Sequence, residues 1–154
     1  MTIRWGMIGT GNVTELKSAP SFNKIEGSQL VAVGNRTYEK ARDYAARHGI
    51  PTVHEDPLEV IHNPEVDIVY IATPPGSHMD YALETIRAGK PVYIEKPMAR
   101  TWEECRIINE AAEEAGIPVF VAYYRRALDY FLKVKEVVDS DVLGTLLSIN
   151  MQQH

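Results

Sequence analysis

The chain has 154 residues, of which 45% are hydrophobic and 24% charged, and this length and composition are typical of a globular domain with a buried core. Its net charge of −5 argues against a nucleic-acid partner, and no apolar run is long enough to cross a membrane. The single cysteine, Cys105, rules out an internal disulfide or cysteine metal cluster; since the start shows no signal-peptide pattern, we expect a cytoplasmic protein without a metal site.

Strand and helix patterns alternate along the first 122 residues. Apolar, β-branched runs predict five strands, at residues 3–8, 29–33, 66–72, 91–94 and 118–122. Helical spacing predicts helices over residues 13–22, 37–49, 77–89 and 101–116, with N-caps at Thr37 and Ser77 and a capping box at Thr101 and Glu104. Such alternation is typical of an α/β fold, a doubly wound parallel sheet with helices on both faces.

The last part of the chain changes character. Residues 127–139 predict one more helix, and from Thr145 to Gln152 apolar and polar residues alternate as in a strand. A lone strand is not stable by itself. We therefore expect one domain over residues 1–126, followed by residues 127–154 as the first helix and strand of a truncated α+β substrate domain. The alternative is that the terminal strand pairs with a second chain in a homo-oligomer.

A glycine-rich turn, Gly9-Thr10-Gly11, joins the first strand to the first helix. Gly9 permits a tight turn, and Gly11 lets the backbone approach a pyrophosphate, whose charge is met by the amides of the helix N-terminus. Thr14 stands where a small residue is usual, so we expect the helix to pack more loosely or differently there. An ordinary strand-to-helix turn is the alternative, but the position after the first strand of a βαβ series favours phosphate binding.

The end of the second strand bears on the choice between NAD and NADP. NAD sites usually carry an acid here for the ribose 2′-hydroxyl, whereas an arginine suits a 2′-phosphate. The chain has Asn35-Arg36-Thr37 and no carboxylate at this point. Arg36 offers a charged planar fork and Thr37 a hydroxyl, which favours NADP. The alternative is that Arg36 is a solvated surface residue and Asn35 binds the ribose hydroxyl of NAD.

Two later strand ends are unusual. Ala72-Thr73-Pro74-Pro75 forms a rigid extended turn that removes two backbone donors, and such a loop is consistent with lining a cofactor cleft. His78 lies in the first turn of the following helix, where a surface or capping role is the usual one.

The next strand ends in Glu95-Lys96-Pro97, and Pro97 keeps Lys96 out of the helical region. A lysine at this strand end can hydrogen-bond a substrate hydroxyl or carbonyl, although taken alone it reads as a plain exposed charge.

Together with Tyr123-Tyr124-Arg125-Arg126, these strand ends resemble the glucose-fructose oxidoreductase, inositol dehydrogenase and MocA-like (Gfo/Idh/MocA) family over essentially the whole chain. The Glu-Lys-Pro element is the most diagnostic part. The resemblance implies a nicotinamide-binding Rossmann fold and hydride transfer between NAD(P) and the carbon of a sugar, cyclitol or related small-molecule alcohol or carbonyl.

The same resemblance implies roles for individual residues. Lys96 would be the catalytic lysine on the reacting oxygen, and Glu95 would lie near the nicotinamide ribose. Arg125 or Arg126 would face the cofactor or a domain junction, unless the pair is a solvated helix start. The cofactor set that follows is Gly9, Thr10, Gly11, Asn12, Val13, Asn35, Arg36, Thr37, Ala72, Thr73, Pro74, Pro75, His78, Glu95, Lys96 and Arg125.

One departure limits the catalytic prediction. The proton-transfer histidine of the family belongs to an Asp-x-x-x-His element of the second domain, and no Asp of this chain has a His four residues later. We therefore expect the chain alone to bind cofactor and to be inactive. A non-catalytic dinucleotide-binding or assembly module is the main alternative. A methyltransferase is disfavoured because no acid precedes the glycine turn, and a short-chain dehydrogenase because no Tyr has a Lys four residues on.

Overall fold

The computed structural model describes residues 1–152, which divide into a compact unit, Met1–Ala122, and a second unit that begins at Tyr123. The first unit is built on one parallel sheet in which six strands follow the order β3-β2-β1-β4-β5-β6. The strands are β1 (Ile3–Ile8), β2 (Ser28–Gly34), β3 (Thr52–His54), β4 (Ile68–Ile71), β5 (Val92–Ile94) and β6 (Val119–Val121).

Helices follow nearly every strand, and local signals explain where several begin and end. The helix after β2 and the long one before β6 end at Gly49 and Gly116, both at φ +66°, a conformation that glycine adopts without strain. The helices are α1 (Asn12–Leu16), α2 (Ala19–Phe22), α3 (Tyr38–His48), α4 (Pro57–His62), α5 (His78–Arg87), α6 (Trp102–Ala115) and α7 (Asp129–Asp139).

The sheet divides the core into two apolar clusters, one on each face. Alternate strand residues point to opposite faces, so Met7 and Tyr70 belong to the cluster with α2 and α3, whereas Ile8 and Ile71 belong to the cluster with α4, α5 and α6. All of β4 is buried. The predicted doubly wound α/β fold with helices on both faces is therefore confirmed.

An aromatic group fills the centre of the first cluster. The Trp5 ring stacks on Phe22 with centroids 4.3 Å apart, and Tyr70 meets Phe22 edge-on at 5.4 Å and Tyr93 at 5.5 Å. The indole N–H of Trp5 donates to Ser28 Oγ. The other tryptophan, Trp102, lies at the start of α6 and is 76% exposed.

The topology places a crevice at one point of the sheet. β1 pairs with β2 on one side and with β4 on the other, so the chain leaves β1 where the strand order reverses. In open parallel sheets, ligands bind beyond the carboxyl ends of the strands at this switch point.

Two elements were not predicted from the sequence, and one predicted helix is divided. β3 has only three residues and α4 only six, which is too short for a periodicity signal. The segment 13–22 forms α1 and α2 because Pro20 lacks a backbone N–H and its ring would clash with the preceding turn of a continuous helix.

Two predicted helix caps differ from the structure. The hydroxyl of Ser77 donates to Thr73 Oγ1 and the Pro74 carbonyl instead of capping α5. At α6, Thr101 Oγ1 accepts from the Glu104 amide as predicted, but the Glu104 carboxylate accepts from the Arg100 backbone and guanidinium.

The second unit contains a short 3-10 turn, Tyr124–Ala127, and α7, which has no buried residue. Residues 145–152 form no strand in the structure, and the terminal strand predicted from Thr145 onward stays a prediction, because it needs a partner strand to pair with. Residues 153 and 154 lie outside the described part. A boundary after residue 126 and a second domain from residue 127 remain predictions. Within residues 1–152, no helix is long and apolar enough to span a bilayer.

Candidate functional site

Gly9 lies where β1, β2 and β4 come closest together. Its φ is +100°, and a Cβ at this position would lie 2.6 Å from the Ala72 carbonyl oxygen. Its own N–H donates to the Gly34 carbonyl at 2.9 Å. Any side chain would push the turn away from β4, so the contact requires glycine.

Gly11 has the opposite surroundings. It is the N-cap of α1, and a Cβ there would meet no atom of another part of the protein within 4 Å, so the space beside the start of the helix is open. Thr14 donates its hydroxyl proton to the Gly11 carbonyl at 2.7 Å and is fully buried. The larger third residue is thus buried with its hydroxyl bonded inside the turn, and a change in the helix packing there stays a prediction.

Asn35 joins the end of β2 to the glycine turn. Its Nδ2 donates to Thr10 Oγ1 at 2.7 Å, and its Oδ1 accepts from the Thr37 amide at 2.9 Å. Arg36, the next residue, is exposed and makes no hydrogen bond or ion pair with another side chain of residues 1–152. Lys40 is exposed in the first turn of α3, four residues later.

These strand ends surround a cleft of about 540 Å³, within the usual range for small-molecule sites. The cleft reaches from the glycine turn to the cations after β2 and to the loop after β4. Its lining residues are Gly9, Thr10, Gly11, Asn35, Arg36, Thr37, Lys40, Ala72, Thr73, Pro74, Gly76, Ser77 and Tyr81.

The cleft has the chemistry that an anionic dinucleotide requires. The amides of a helix N-terminus attract phosphate, and the open space at Gly11 lets a ligand approach them. The cations Arg36 and Lys40 line the same space. The residues present therefore fit a nicotinamide dinucleotide.

His78 is fully buried, whereas its position at the start of α5 predicts a surface or capping role and the family resemblance implies a place in the cofactor cleft. Its Nε2 lies 2.7 Å from the Thr73 carbonyl oxygen and its Nδ1 lies 3.0 Å from the Pro97 carbonyl oxygen. Both ring nitrogens are engaged, so the imidazole has none left to bind a ligand. It joins the loop after β4 to the loop after β5.

Glu95 and Lys96 stand at the end of β5, beside the end of β4. The Glu95 amide donates to the Ile71 carbonyl at 2.9 Å, which continues the pairing of the two strands. The Glu95 carboxylate accepts from the hydroxyl of Tyr70 and from the Lys96 amide. The Lys96 side chain is exposed, as a lysine that meets a substrate would be.

The structure brings nine of the sequence-predicted residues into the cleft lining: Gly9, Thr10, Gly11, Asn35, Arg36, Thr37, Ala72, Thr73 and Pro74. Asn12 and Val13 open α1 directly after Gly11, and Pro75 opens the 3-10 turn after β4. Glu95 and Lys96 lie at the neighbouring strand end. Arg125 belongs to the second unit, and its role stays a prediction.

Sequence reasoning missed four of the lining residues: Lys40, Gly76, Ser77 and Tyr81. Lys40 was detectable, because it lies in the first turn of the predicted helix that directly follows the end of β2. Tyr81 lies one turn into α5, but the loop that brings it to the cleft has no such periodicity.

Comparison with known proteins agrees with this site. The chain is 47% identical over 150 residues to Oxidoreductase P35 of Formosa agariphila, which covers 97% of this chain and 47% of that protein. It is 35% identical over 151 residues to Inositol 2-dehydrogenase 2 of Saccharopolyspora erythraea, which covers 97% and 44%. The crystal structure of a probable dehydrogenase from Thermotoga maritima superposes with a TM-score of 0.86 at 26% identity, over 92% of this chain and 42% of that one.

The chain thus spans less than half the length of these relatives. Residues 3–123 match the sequence profile of the family described as an oxidoreductase family with an NAD-binding Rossmann fold. That match covers the whole parallel sheet, its glycine turn and the Glu-Lys-Pro strand end. The chain belongs to the Gfo/Idh/MocA oxidoreductase family.

Proposed function

We propose that the cleft binds NADP in preference to NAD, and that the whole protein transfers hydride between the nicotinamide and an alcohol carbon of a sugar or cyclitol. The observation that carries the proposal is the open, cationic cleft at the switch point of the sheet, with a lysine at the adjoining strand end. The single cysteine favours a cytoplasmic location.

The glycine turn would hold the pyrophosphate and the end of β2 would hold the adenosine ribose. The space beside Gly11 at the start of α1 is open, and the amides of a helix N-terminus attract phosphate. Arg36 and Lys40 supply two positive charges for a ribose 2′-phosphate. The side chain of Asn35 is already hydrogen-bonded to Thr10 and to the Thr37 amide. It is therefore less available to a ribose hydroxyl than the carboxylate that NAD sites usually carry at this position.

Lys96 would act on the substrate. The bound nicotinamide supplies or accepts the hydride. Lys96 donates a hydrogen bond to the reacting oxygen and stabilises the negative charge that develops there. The Asp-x-x-x-His element that carries the proton-transfer histidine of the family does not occur in residues 1–154. We therefore expect this chain to bind cofactor without turning over substrate.

Calorimetric titration of the chain with NADPH and with NADH tests the proposal. We expect NADPH to bind more tightly, and Arg36→Ala to weaken NADPH binding about tenfold, the value of one charge-assisted contact, with little effect on NADH. Arg42→Ala is the matched control, because Arg42 is exposed on α3 outside the cleft lining. Failure of both cofactors to bind would overturn the proposal. Equal affinities, or an unchanged preference in Arg36→Ala, would overturn the NADP assignment.

A further inference from the structure

Tyr70 places a hydroxyl in the interior of the domain. The residue lies in the middle of β4 and is fully buried. Its phenolic oxygen lies 2.7 Å from Ser18 Oγ, which follows α1, and 2.7 Å from Glu95 Oε1, at the end of β5. One buried group therefore connects the segment after the phosphate-turn helix with the strand end that carries Lys96.

The carboxylate of Glu95 determines which group donates in the hydrogen bonds that link Ser18, Tyr70 and Glu95. An ionised carboxylate only accepts hydrogen bonds, so Tyr70 donates to Glu95, and the Ser18 hydroxyl proton is shared between the phenolic oxygen and the Val13 carbonyl, 3.2 Å away. The other carboxylate oxygen, Oε2, accepts from the Lys96 amide at 3.2 Å. Both oxygens of Glu95 are thus held, and its side chain has a defined direction.

The ring of Tyr70 has little freedom to move. It is packed between Phe22 and Tyr93 in the aromatic group described above. Burial raises the pKa of its hydroxyl far above the ordinary value, which keeps the group a neutral donor. A phenylalanine would fill the same space without the cost of burying a polar group, so the hydroxyl is retained at a site where packing does not require it.

We propose that Tyr70 and Ser18 are positioning residues that orient the Glu95 carboxylate toward the nicotinamide ribose, so that the nicotinamide half of the cofactor lies beside Lys96. The inference rests on the proposed function, because it assumes that the cleft holds a dinucleotide and that Glu95 lies near the nicotinamide ribose, as the family resemblance implies. It separates two sources of affinity: the glycine turn and the β2 end bind the adenosine half, and the Ser18–Tyr70–Glu95 chain acts only on the other half.

Binding of NADH and of ADP to Tyr70→Phe tests the separation, since ADP lacks the nicotinamide and its ribose. We expect NADH to bind five- to tenfold more weakly, the value of about one hydrogen bond, and ADP affinity to stay within twofold. Ser18→Ala should shift NADH in the same direction by a smaller factor. Tyr44→Phe is the matched control: Tyr44 is 1% exposed and donates to the Thr14 carbonyl at 2.9 Å, so its loss should leave the ratio of NADH to ADP affinity unchanged.

A double-mutant cycle with Glu95→Gln keeps the proposal testable if Tyr70→Phe is destabilised. A residue that acts through Glu95 adds no further loss of NADH affinity once Glu95 is replaced, whereas an independent structural effect adds in full. Wild-type chain that binds neither ligand would overturn the proposed function and this inference together. Wild-type binding with an unchanged NADH to ADP ratio in Tyr70→Phe, or additive losses in the cycle, would overturn the inference alone.

Discussion

The carboxyl edge of the sheet has two sides that are built in different ways. The arginine side, after β2, consists of Arg36, Thr37 and Lys40, all of them exposed. The lysine side, after β4 and β5, rests on the buried groups His78 and Tyr70, which hold the loops and Glu95 in place. One side therefore offers charge to a ligand, whereas the other has its geometry fixed by buried hydrogen bonds.

Gly9 and Gly11 give the largest test of this comparison, because they stand two residues apart where the two sides meet. Gly9→Ala puts a Cβ 2.6 Å from the Ala72 oxygen at φ +100°, and we expect a loss of about 3 kcal/mol in the free energy of unfolding, measured in urea.

Gly11→Ala is the matched control. Gly11 has an extended backbone and free space, so its unfolding free energy should change by less than about 0.5 kcal/mol, while NADPH binding weakens because the new methyl group occupies ligand space. Equal losses of stability in the two variants would contradict the assignment of Gly9 to packing and Gly11 to binding.

His78→Ala probes the lysine side. The substitution removes the buried imidazole that lies against the Thr73 and Pro97 carbonyl oxygens, and we expect the unfolding free energy to fall by about 2–3 kcal/mol. His62→Ala is the control, since His62 is exposed and its contact with Glu84 lies on the surface; its effect should stay within about 0.5 kcal/mol. A loss in His78→Ala no larger than in His62→Ala would remove the distinction between the two sides.

Glu15→Gln should have the smallest effect, and it concerns how α1 is held against α3. Hydrogen bonding by Arg47, at 2.5 Å, lowers the pKa of Glu15 to about 2 from the ordinary 4.5, and His48 Nε2 lies 2.9 Å from the other oxygen. Because the folded-state pKa is lowered, this contribution to stability is present above pH 4.5 and is lost as the pH falls toward 2.

Urea unfolding at pH 5 and pH 3 measures this effect. The stability difference between wild type and Glu15→Gln should shrink at the lower pH. Glu114→Gln is the control, because Glu114 is exposed on α6 and forms no ion pair within residues 1–152. Its stability difference from wild type should not change with pH. A difference that does not depend on pH would show that the carboxylate contributes by packing and not by charge.

The sequence predicted the fold well where the pattern is local. Strands such as Ile3–Ile8 are predictable from their apolar composition, and the residue types at the strand ends indicated the family. β3 was too short for such a pattern. The start of α4 was predictable, because Asp56-Pro57 is a helix start signal and Asp56 accepts a hydrogen bond from the Leu58 amide in the structure.

The features of the site that the sequence did not predict are contacts between residues far apart in the chain. His78 meets Pro97 across 19 positions, and Tyr70 meets Glu95 across 25. No periodicity of a single helix or strand contains such information, because it arises only when β4 and β5 lie side by side. Arg36 and Lys40, by contrast, belong to one strand end and the helix that follows it, and that side of the edge was predictable.

The two tryptophans provide the molecule with optical reporters of unlike character. Trp5 is half-buried and stacks on Phe22, so we expect it to emit at shorter wavelength than Trp102 and to be quenched less readily. Trp102 is 76% exposed and should emit at long wavelength and quench readily. A Trp102→Phe chain would therefore keep Trp5 as its single tryptophan, beside the ring system of Tyr70. Its tryptophan emission would report on that aromatic group without a contribution from the exposed Trp102.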